Sequence, residues 1–453
     1  MSVSGLNFAG EFELQEARIF SATGIVLNLL NDVNLISINI FEDIFKNGIS
    51  GSIIFADTNN MIENLPIVGQ EIFAFRAVTP GLEAEAIDFT ENPFIIYKVE
   101  RSEDVSVSAN IVELLFVSPE SITNYRRRIS KSYTDTIDNI VDDVLTNELL
   151  INTNKNIEIE PTVGNRKIIA PNSNPFKFIE KLSREAISKN YGGSPHFLFF
   201  ENKNGFHFKP LQTLYEQDIK QTYNLSDKRD DPSKQDLADE YKRMVQFSIS
   251  ANKDLLGNTS TGMLGSRLIT HDIYNKNYES FDYGYFDNFN DFDRIESGSK
   301  PIYSESVVNN LNENLGDFHD SRIFVHPTST TTDYLDAQYY DENGNPQFTS
   351  NKSHTWLQDR KNRMVEYNNG ITATMTAHGL TSLTVGDIVD LSIPSLPTDD
   401  EDAYYSGKYL VTQLRHNFAV PEKTHLSHMV VRRDAISFSL PGTPKPYALS
   451  DAF

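Results

Sequence analysis

Between Phe12 and Val117 the chain runs in short apolar stretches, FELQEARIF, GIVLNLL, NLISINIF, GSIIFAD, EIFAFRAV, PFIIYKV and SANIVELLFV, broken by Gly, Asn, Asp and Pro. That spacing predicts short antiparallel strands in a sandwich or barrel, and closure would leave no strand edge exposed. At Ser118 the period changes. Ser118 and Pro119 suit the N-cap and first position of a helix, and Ile137, Ile140, Val141, Val144 and Leu145 recur at three-four spacing, predicting an amphipathic helix over 135–150. A second helix is expected from Asn174 and Pro175, with Phe178, Ile179, Leu182 and Ala186 on one face. HFLFFENKNGFHFKPL then alternates about Asn204-Gly205, which predicts a hairpin. Strand patterns return at RMVQFSIS and again from Asn362, after a polar, acidic, turn-rich stretch.

Two distant segments share one grammar. Val68-Gly69-Gln70-Glu71-Ile72 and Val385-Gly386-Asp387-Ile388-Val389 each lead into a strand, and each is followed about 25 residues later by another strand, FIIYKV or YLVTQL, and then by a long final one. Gly69 and Gly386 are the expected structural turn glycines, since glycine adopts backbone conformations closed to β-branched neighbours. The predicted fold class is therefore α+β, mostly β: two similar antiparallel β-barrel domains with an inserted α+β domain and a polar insertion. The expected boundaries are 1–118 for the first barrel, 119–240 for the α+β domain, 241–290 with 356–445 for a discontinuous second barrel, 291–355 for the insertion and 446–453 for a C-terminal tail.

Composition sharpens this picture mainly by exclusion. The 453 residues suit two to four domains, and 29 Phe and 20 Tyr beside a single Trp agree with a strand-rich chain. A formal charge of −23 repels phosphates and argues against sequence-specific nucleic-acid binding. The absence of cysteine removes disulfides, thiol nucleophiles and cysteine-ligated metals. No apolar run reaches the ~18 residues of a membrane span, and the N-terminus shows no export signal.

Candidate chemistry is sparse. His425 and His428 fall on opposite faces of a strand and chelate poorly, with His416 nearby. Arg126–Arg128 suit a solvated helix face or an acidic neighbour, and DENGN is better placed for a turn than for a calcium loop. No nucleophile elbow, zinc-protease helix or phosphate loop occurs, so no catalytic residue, metal site or cofactor is assigned, and the protein is read as a non-enzyme. Between Tyr274 and Ile295 lie eight aromatics in 22 residues, Tyr274, Tyr278, Phe281, Tyr283, Tyr285, Phe286, Phe289 and Phe292, interleaved with acids. They are read as a candidate intersubunit contact.

The segments IFEDIFKNGISGSIIFADTNNMIENLPIVGQEIF, FIIYKVERSE, ELLFVSPESITNYRRRISKSYTD, GMLGSRLITHDIYNKNY and LTVGDIVDLSIPSL, with YYSGKYLVTQLRHNF, resemble the baseplate hub proteins of contractile-tailed bacteriophages. The resemblance implies a homotrimer with two tube-like barrels per chain, joining a hexameric tail tube to a trimeric central spike. It implies contacts with other baseplate and tail proteins, a place in the virion tail baseplate after assembly in the host cytoplasm, and a share of the DNA channel during ejection. From the net charge, that channel is expected to be lined by Asp and Glu. The alternatives are a virion-associated cell-wall hydrolase and a duplicated tube-like protein outside the hub.

Overall fold

The computed structural model describes residues 6–57, 67–82, 85–101, 110–225, 237–251, 254–273, 276–296, 298–302, 315–316, 318–328, 352–395 and 401–440. The first half contains β1 (Glu13–Phe20), β2 (Val26–Asn28), β3 (Asn34–Asp43), β4 (Ser50–Asp57), β5 (Ile72–Val78), β6 (Ile87–Asp88), β7 (Phe94–Arg101) and β8 (Asn110–Val117). Seven of them are the short apolar runs of the sequence, and the two-residue β6 is added to them. Their inward residues, among them Ile38, Ile53, Phe55, Phe73, Phe75, Phe94, Leu114 and Phe116, share one core, packed partly through a chain of ring contacts from Phe89 through Phe94 to Phe116.

The middle region follows the predicted helix and hairpin signals. It holds α1 (Pro119–Arg126), β9 (Ile129–Asp135), α2 (Ile137–Thr146), β10 (Ile157–Ile159), β11 (Arg166–Ser173), α3 (Pro175–Glu185), β12 (Phe197–Asn202), β13 (Gly205–Pro210) and α4 (Leu211–Tyr215). The five apolar residues of α2 are all buried, together with Phe176, Phe178, Ile179 and Leu182 of α3, over a sheet ordered β10-β13-β12.

The second half is assembled from β14 (Ile219–Asn224), α5 (Leu237–Glu240), β15 (Met244–Ala251), α6 (Leu255–Thr261), β16 (Gly265–Asp272), β17 (Asn277–Gly284), α7 (Tyr285–Asn288), β18 (Ile323–Thr328), α8 (Arg360–Asn369), β19 (Ile371–His378), β20 (Ile388–Ser392), β21 (Gly407–Ala419) and β22 (Thr424–Arg433). Strands β16, β17 and β18 form a sheet of their own, with β18 running parallel to β16. The others repeat the first half. Pairing runs β1-β5-β7-β8-β4-β3 in the first half and β14-β20-β21-β22-β19-β15 in the second, the same path through strands taken in the same chain order. One difference is direction: β1 lies antiparallel to β5, whereas β14 lies parallel to β20.

The irregularities repeat too. A bulge interrupts β7 between Ile96 and Lys98 and β21 between Val411 and Gln413. Another interrupts β3 between Leu35 and Ser37 and β15 between Met244 and Gln246. A bulge re-aims one strand at one position, so matching bulges on matching strands set a residue-by-residue correspondence that strand order alone does not.

The mostly β, two-part architecture is as expected, but the two barrels are not separate: both halves belong to one 14-stranded sheet. Among the described residues no full ladder closes either half, and the ends of the second half meet only through a bridge from Asn224 to Arg243, beside β15, with Asn224 N–H donating to Lys242 O at 2.6 Å. The reason is the length of β21. Its first residues, 407–410, pair with β20, while 413–419 pair with β3 of the other half. In the first half, the edge of β3 that closure would have consumed is used to join the halves.

Candidate assembly surfaces

The joint between the halves is built from seven register pairs, Gln413↔Asp43 through Ala419↔Ser37. On its outward face the side chains form a hydrogen-bonded ladder. Arg415 Nε and Nη2 and Asn417 Nδ2 all donate to Asn39 Oδ1 at 3.1, 2.9 and 2.7 Å, and Asn39 Nδ2 donates to Ser52 Oγ at 3.2 Å. Gln413 Nε2 donates to Asp43 at 2.9 Å. Further along the same face Thr376 bonds His428, and Arg415 lies over the Phe41 ring. Strand alternation places Ser, Thr, Asn and Gln at most of these outward positions, including Ser248, Ser250, Thr372 and Thr374. On β3, β4, β7, β8, β15, β19, β22 and the part of β21 from Gln413 onward, the charged outward residues are Asp43, Glu100, Glu113, Lys98, Arg415 and Arg432, three of each sign, so this part of the face is electrically balanced.

Behind this joint three parts of the chain meet. Glu42, at the end of β3, accepts from the Thr384 hydroxyl at 2.6 Å, from Val385 N–H at 3.0 Å and from Lys203 N–H at 3.0 Å. Lys203 sits in the β12–β13 turn and its ammonium donates to Thr381 O. Burial pushes the Glu42 carboxyl up to about 7, although every one of these donors favours its charged form. The same burial pulls Lys203 down to about 8. A second buried cluster ties the middle region to the first half. Lys155 Nζ bridges Glu120 at 2.7 Å and Glu201 at 2.6 Å, and the other Glu201 oxygen accepts from Ile49 N–H.

The second half is held by a buried ionic network. Arg363 of α8 donates to Glu366 and Asp434, Arg294 donates to Glu366, and the Tyr215 hydroxyl donates to Asp434 at 2.9 Å. Burial alone would raise Asp434, but Arg363 and Arg294 hold its carboxyl below the ordinary range. Sequence reasoning missed this group because its members come from four separate segments. The one local signal was the spacing of Arg363 and Glu366 on a helical face.

Gly69 and Gly386 occupy matching turns. Their φ angles are +86° and +91°, in the left-handed region that favours glycine. In each, the acid that follows curls back on the turn. Glu71 accepts from the N–H groups of Val68, Gly69 and Gln70, and Asp387 accepts from that of Thr384. The carbonyls of Glu71 and Asp387 then take the Ile96 and Val411 N–H groups at 2.8 and 2.9 Å.

The aromatic segment lands differently from the intersubunit contact expected of it. Tyr283, Tyr285 and Phe289 are buried in the chain's own small core with Met263, Leu264 and Ala435, and Phe286 packs against them. Phe281 stacks on His354 and Phe292 meets His196 edge-on. Tyr278 is 68% exposed, and Tyr274 lies outside the described residues. Crowded aromatics do mark burial; their spacing does not say in which chain the cover lies.

His416 and His425 form a buried pair, Nδ1 to Nε2 at 2.9 Å, stacked against Phe418, and burial drives His416 down to about 3, so it is neutral. His428 points to the other face. Among the described residues no grouping of three or more His, Asp or Glu is arranged to hold a metal, and no helix is long and apolar enough to cross a membrane.

No protein-family model and no curated protein sequence matches the chain. Among solved structures it is similar to the tail protein from Neisseria meningitidis MC58, with a TM-score of 0.53 at 9% identity over 95% of this chain and 100% of that one. It is also similar to the 43 kDa tail protein of prophage MuSo2 from Shewanella oneidensis, with a TM-score of 0.51 at 9% identity over 93% and 99% of the two chains. These matches run nearly end to end, and at that coverage the chain has the fold of phage and prophage tail proteins.

Proposed function

We propose that the chain is a structural, non-enzymatic baseplate hub that assembles as a homotrimer, joins a hexameric tail tube to a trimeric spike, and encloses part of the DNA channel in the virion tail. One observation carries the reading. The two halves share strand order and bulges and are joined through β21 and β3, while the equivalent edges, the side of β7 away from β8 beyond Ile95 and the side of β15 away from β19, have no strand paired to them among the described residues. An unpaired edge is a template for another chain. If β7 of one copy pairs with β15 of the next as β21 pairs with β3, three copies close into a ring of six like units, which is a face that a sixfold tube can meet.

On this reading the hydrogen-bonded outward face lines the bore, and in place of the acidic lining expected from net charge the proposed wall is neutral and rich in Ser, Thr, Asn and Gln, the net charge of the chain lying off these strands. Such a wall offers DNA neither a row of cations to adhere to nor a strong repulsive field. Native mass spectrometry of the purified protein is the test: the expected species has three times the 51.3 kDa of one chain. A monomer, or a ring of six copies, would overturn the reading.

A further inference from the structure

The two halves match in strand order and differ in what covers them. By turn glycine, strand start and bulge, Val68, Ile72 and Tyr97 correspond to Val385, Ile388 and Thr412. The latter three are 0% exposed, whereas Val68, Ile72 and Tyr97 are 64%, 42% and 47% exposed.

The cover in the second half comes from this same chain. A Cβ built on Gly386 would meet Phe200 at 3.5 Å and Leu214 at 3.7 Å. The Asn202 amide donates to Val385 O at 3.1 Å and the Gln217 amide to Gly386 O at 2.9 Å. Ile44 N–H, from the β3–β4 turn, donates to Thr412 O at 3.0 Å. Around Gly69 the nearest atoms are the backbone of Tyr97 and Lys98 in its own half. The exposed surface continues through Val26, 47% exposed, because Val26 pairs with Phe20 and Phe20 with Ile72; Ile25 beside it is 46% exposed.

In a closed ring, Tyr97 takes its cover from the neighbouring copy, as Thr412 takes it from Ile44. Val68, Ile72, Ile25 and Val26 remain. Each chain has one β12–β13 hairpin with its α4 helix, and that element already covers its own second half, so a trimer holds six such turns and three covers.

We propose that the patch formed by Val68, Ile72, Ile25 and Val26 is the docking site for a different tail protein, which presents a short helix with large apolar residues three and four apart. The model for that contact is α4, whose Leu211, Leu214 and Tyr215 belong to the core that encloses Ile388. Three such partners bind per ring, one on each uncovered turn. The inference rests on the hub reading.

The test places a photo-crosslinking benzoylphenylalanine at Val68 of the full chain and compares the purified trimer with tails isolated from the phage that encodes it. In tails, Val68 is expected to crosslink to a second protein, within a peptide of helical apolar spacing, with no more than three adducts per ring. In the purified trimer no crosslink between chains is expected. Adding Ile72→Asp should leave the trimer mass unchanged and abolish the adduct. A crosslink to another copy of this chain, or tails that contain the trimer yet give no adduct, overturns the inference and leaves the hub reading standing. Absence of the chain from tails, or a native mass other than a trimer's, refutes both.

Discussion

If β7 of one copy pairs with β15 of the next as β21 pairs with β3, the register of that contact follows from the matching bulges. Arg415 lies two residues past Gln413 as Glu100 lies two past Lys98, and Phe41 lies four past Ser37 as Ser250 lies four past Gln246. Since Arg415 faces Phe41, Glu100 should face Ser250 of the neighbour, and Arg101 should face Ile249. The chain contains no cysteine, so Glu100→Cys with Ser250→Cys, and separately Arg101→Cys with Ile249→Cys, report on this contact without background. Residues directly opposite on antiparallel strands have Cβ atoms about 4.5–5.5 Å apart, close to the about 3.5–4.5 Å a disulfide needs. Hydrogen-bonded and non-hydrogen-bonded pairs alternate along such a ladder, so one of the two adjacent pairs should oxidise faster than the other. The Lys98–Glu100 ion pair is solvent-exposed and such pairs contribute little to stability, so its loss leaves the fold intact for the assay. After mild oxidation, a non-reducing gel should show linked dimers and trimers and nothing larger. A shifted pair, Glu100→Cys with Ser248→Cys, should stay unlinked. Preferential crosslinking of the shifted pair, or a native trimer in which neither in-register pair links, would refute the deduced register and with it the idea that one contact is used twice.

Three other outcomes follow from the same coordinates. Asp434→Asn leaves Arg363 and Arg294 buried beside a neutral group, and should lower stability by about 3–5 kcal/mol in urea denaturation at fixed protein concentration; a loss below about 1 kcal/mol would mean the network is solvated. Folded Glu42 keeps its proton up to about pH 7, against 4.5 ordinarily, so its contribution is fully present below about pH 4.5 and is lost as pH rises to 7, by up to about 3 kcal/mol. Glu42→Gln should flatten that part of the profile, and parallel profiles for the two proteins would contradict the assignment. The purified trimer should not bind duplex DNA at moderate salt, since its bore carries balanced charge and the chain as a whole is strongly acidic; a Kd tighter than the ~1 μM end of non-specific binding would exclude the neutral-bore reading.

What the sequence made legible was whatever is encoded within a few residues. The apolar spacing of α2 and α3, the Asn204-Gly205 hairpin and the two valine-glycine turns are local, and each appears where its residues dictate. Contacts between distant segments were not legible. Nothing in GSRLITHD announces that it pairs in parallel with IFVHPT some fifty residues on. Of the aromatics after Tyr274, Tyr283, Tyr285 and Phe289 are buried in this chain and Tyr278 is exposed, and a packed ring looks the same in sequence whether its neighbour is in the same chain or another. The shared edge did leave a trace: GKYLVTQLRHNFA runs as one strand for 13 residues and alternates from Thr412 to its end, longer than its pairing with β20 requires, and the alternating part is the one that reaches β3.

On the proposed hub reading, the unequal covering of two like halves bears on how one chain could serve two symmetries. A repeat that was identical in every respect would give a sixfold ring at all levels and no purchase for a threefold spike. Here the sheet edges and outward ladders are alike in both halves, so a surface made of them is close to sixfold, and the polar rows from β19 through β22 and β21 to β3 run without regard to which half supplies the strand. The middle region breaks that equivalence. It is fastened to one face of the second half through Lys203, Asn202 and Gln217, and to the first half through Glu42 and the buried Lys155 cluster. It therefore occurs once per chain and is rigidly indexed to both halves. In a three-copy ring, the face made by the strands reads as six and the face made by the middle regions reads as three. The buried polar contacts that fix the middle region are then what keeps the two symmetries in a set phase, because a buried charge such as Lys155 has only one arrangement that pairs it with both Glu120 and Glu201.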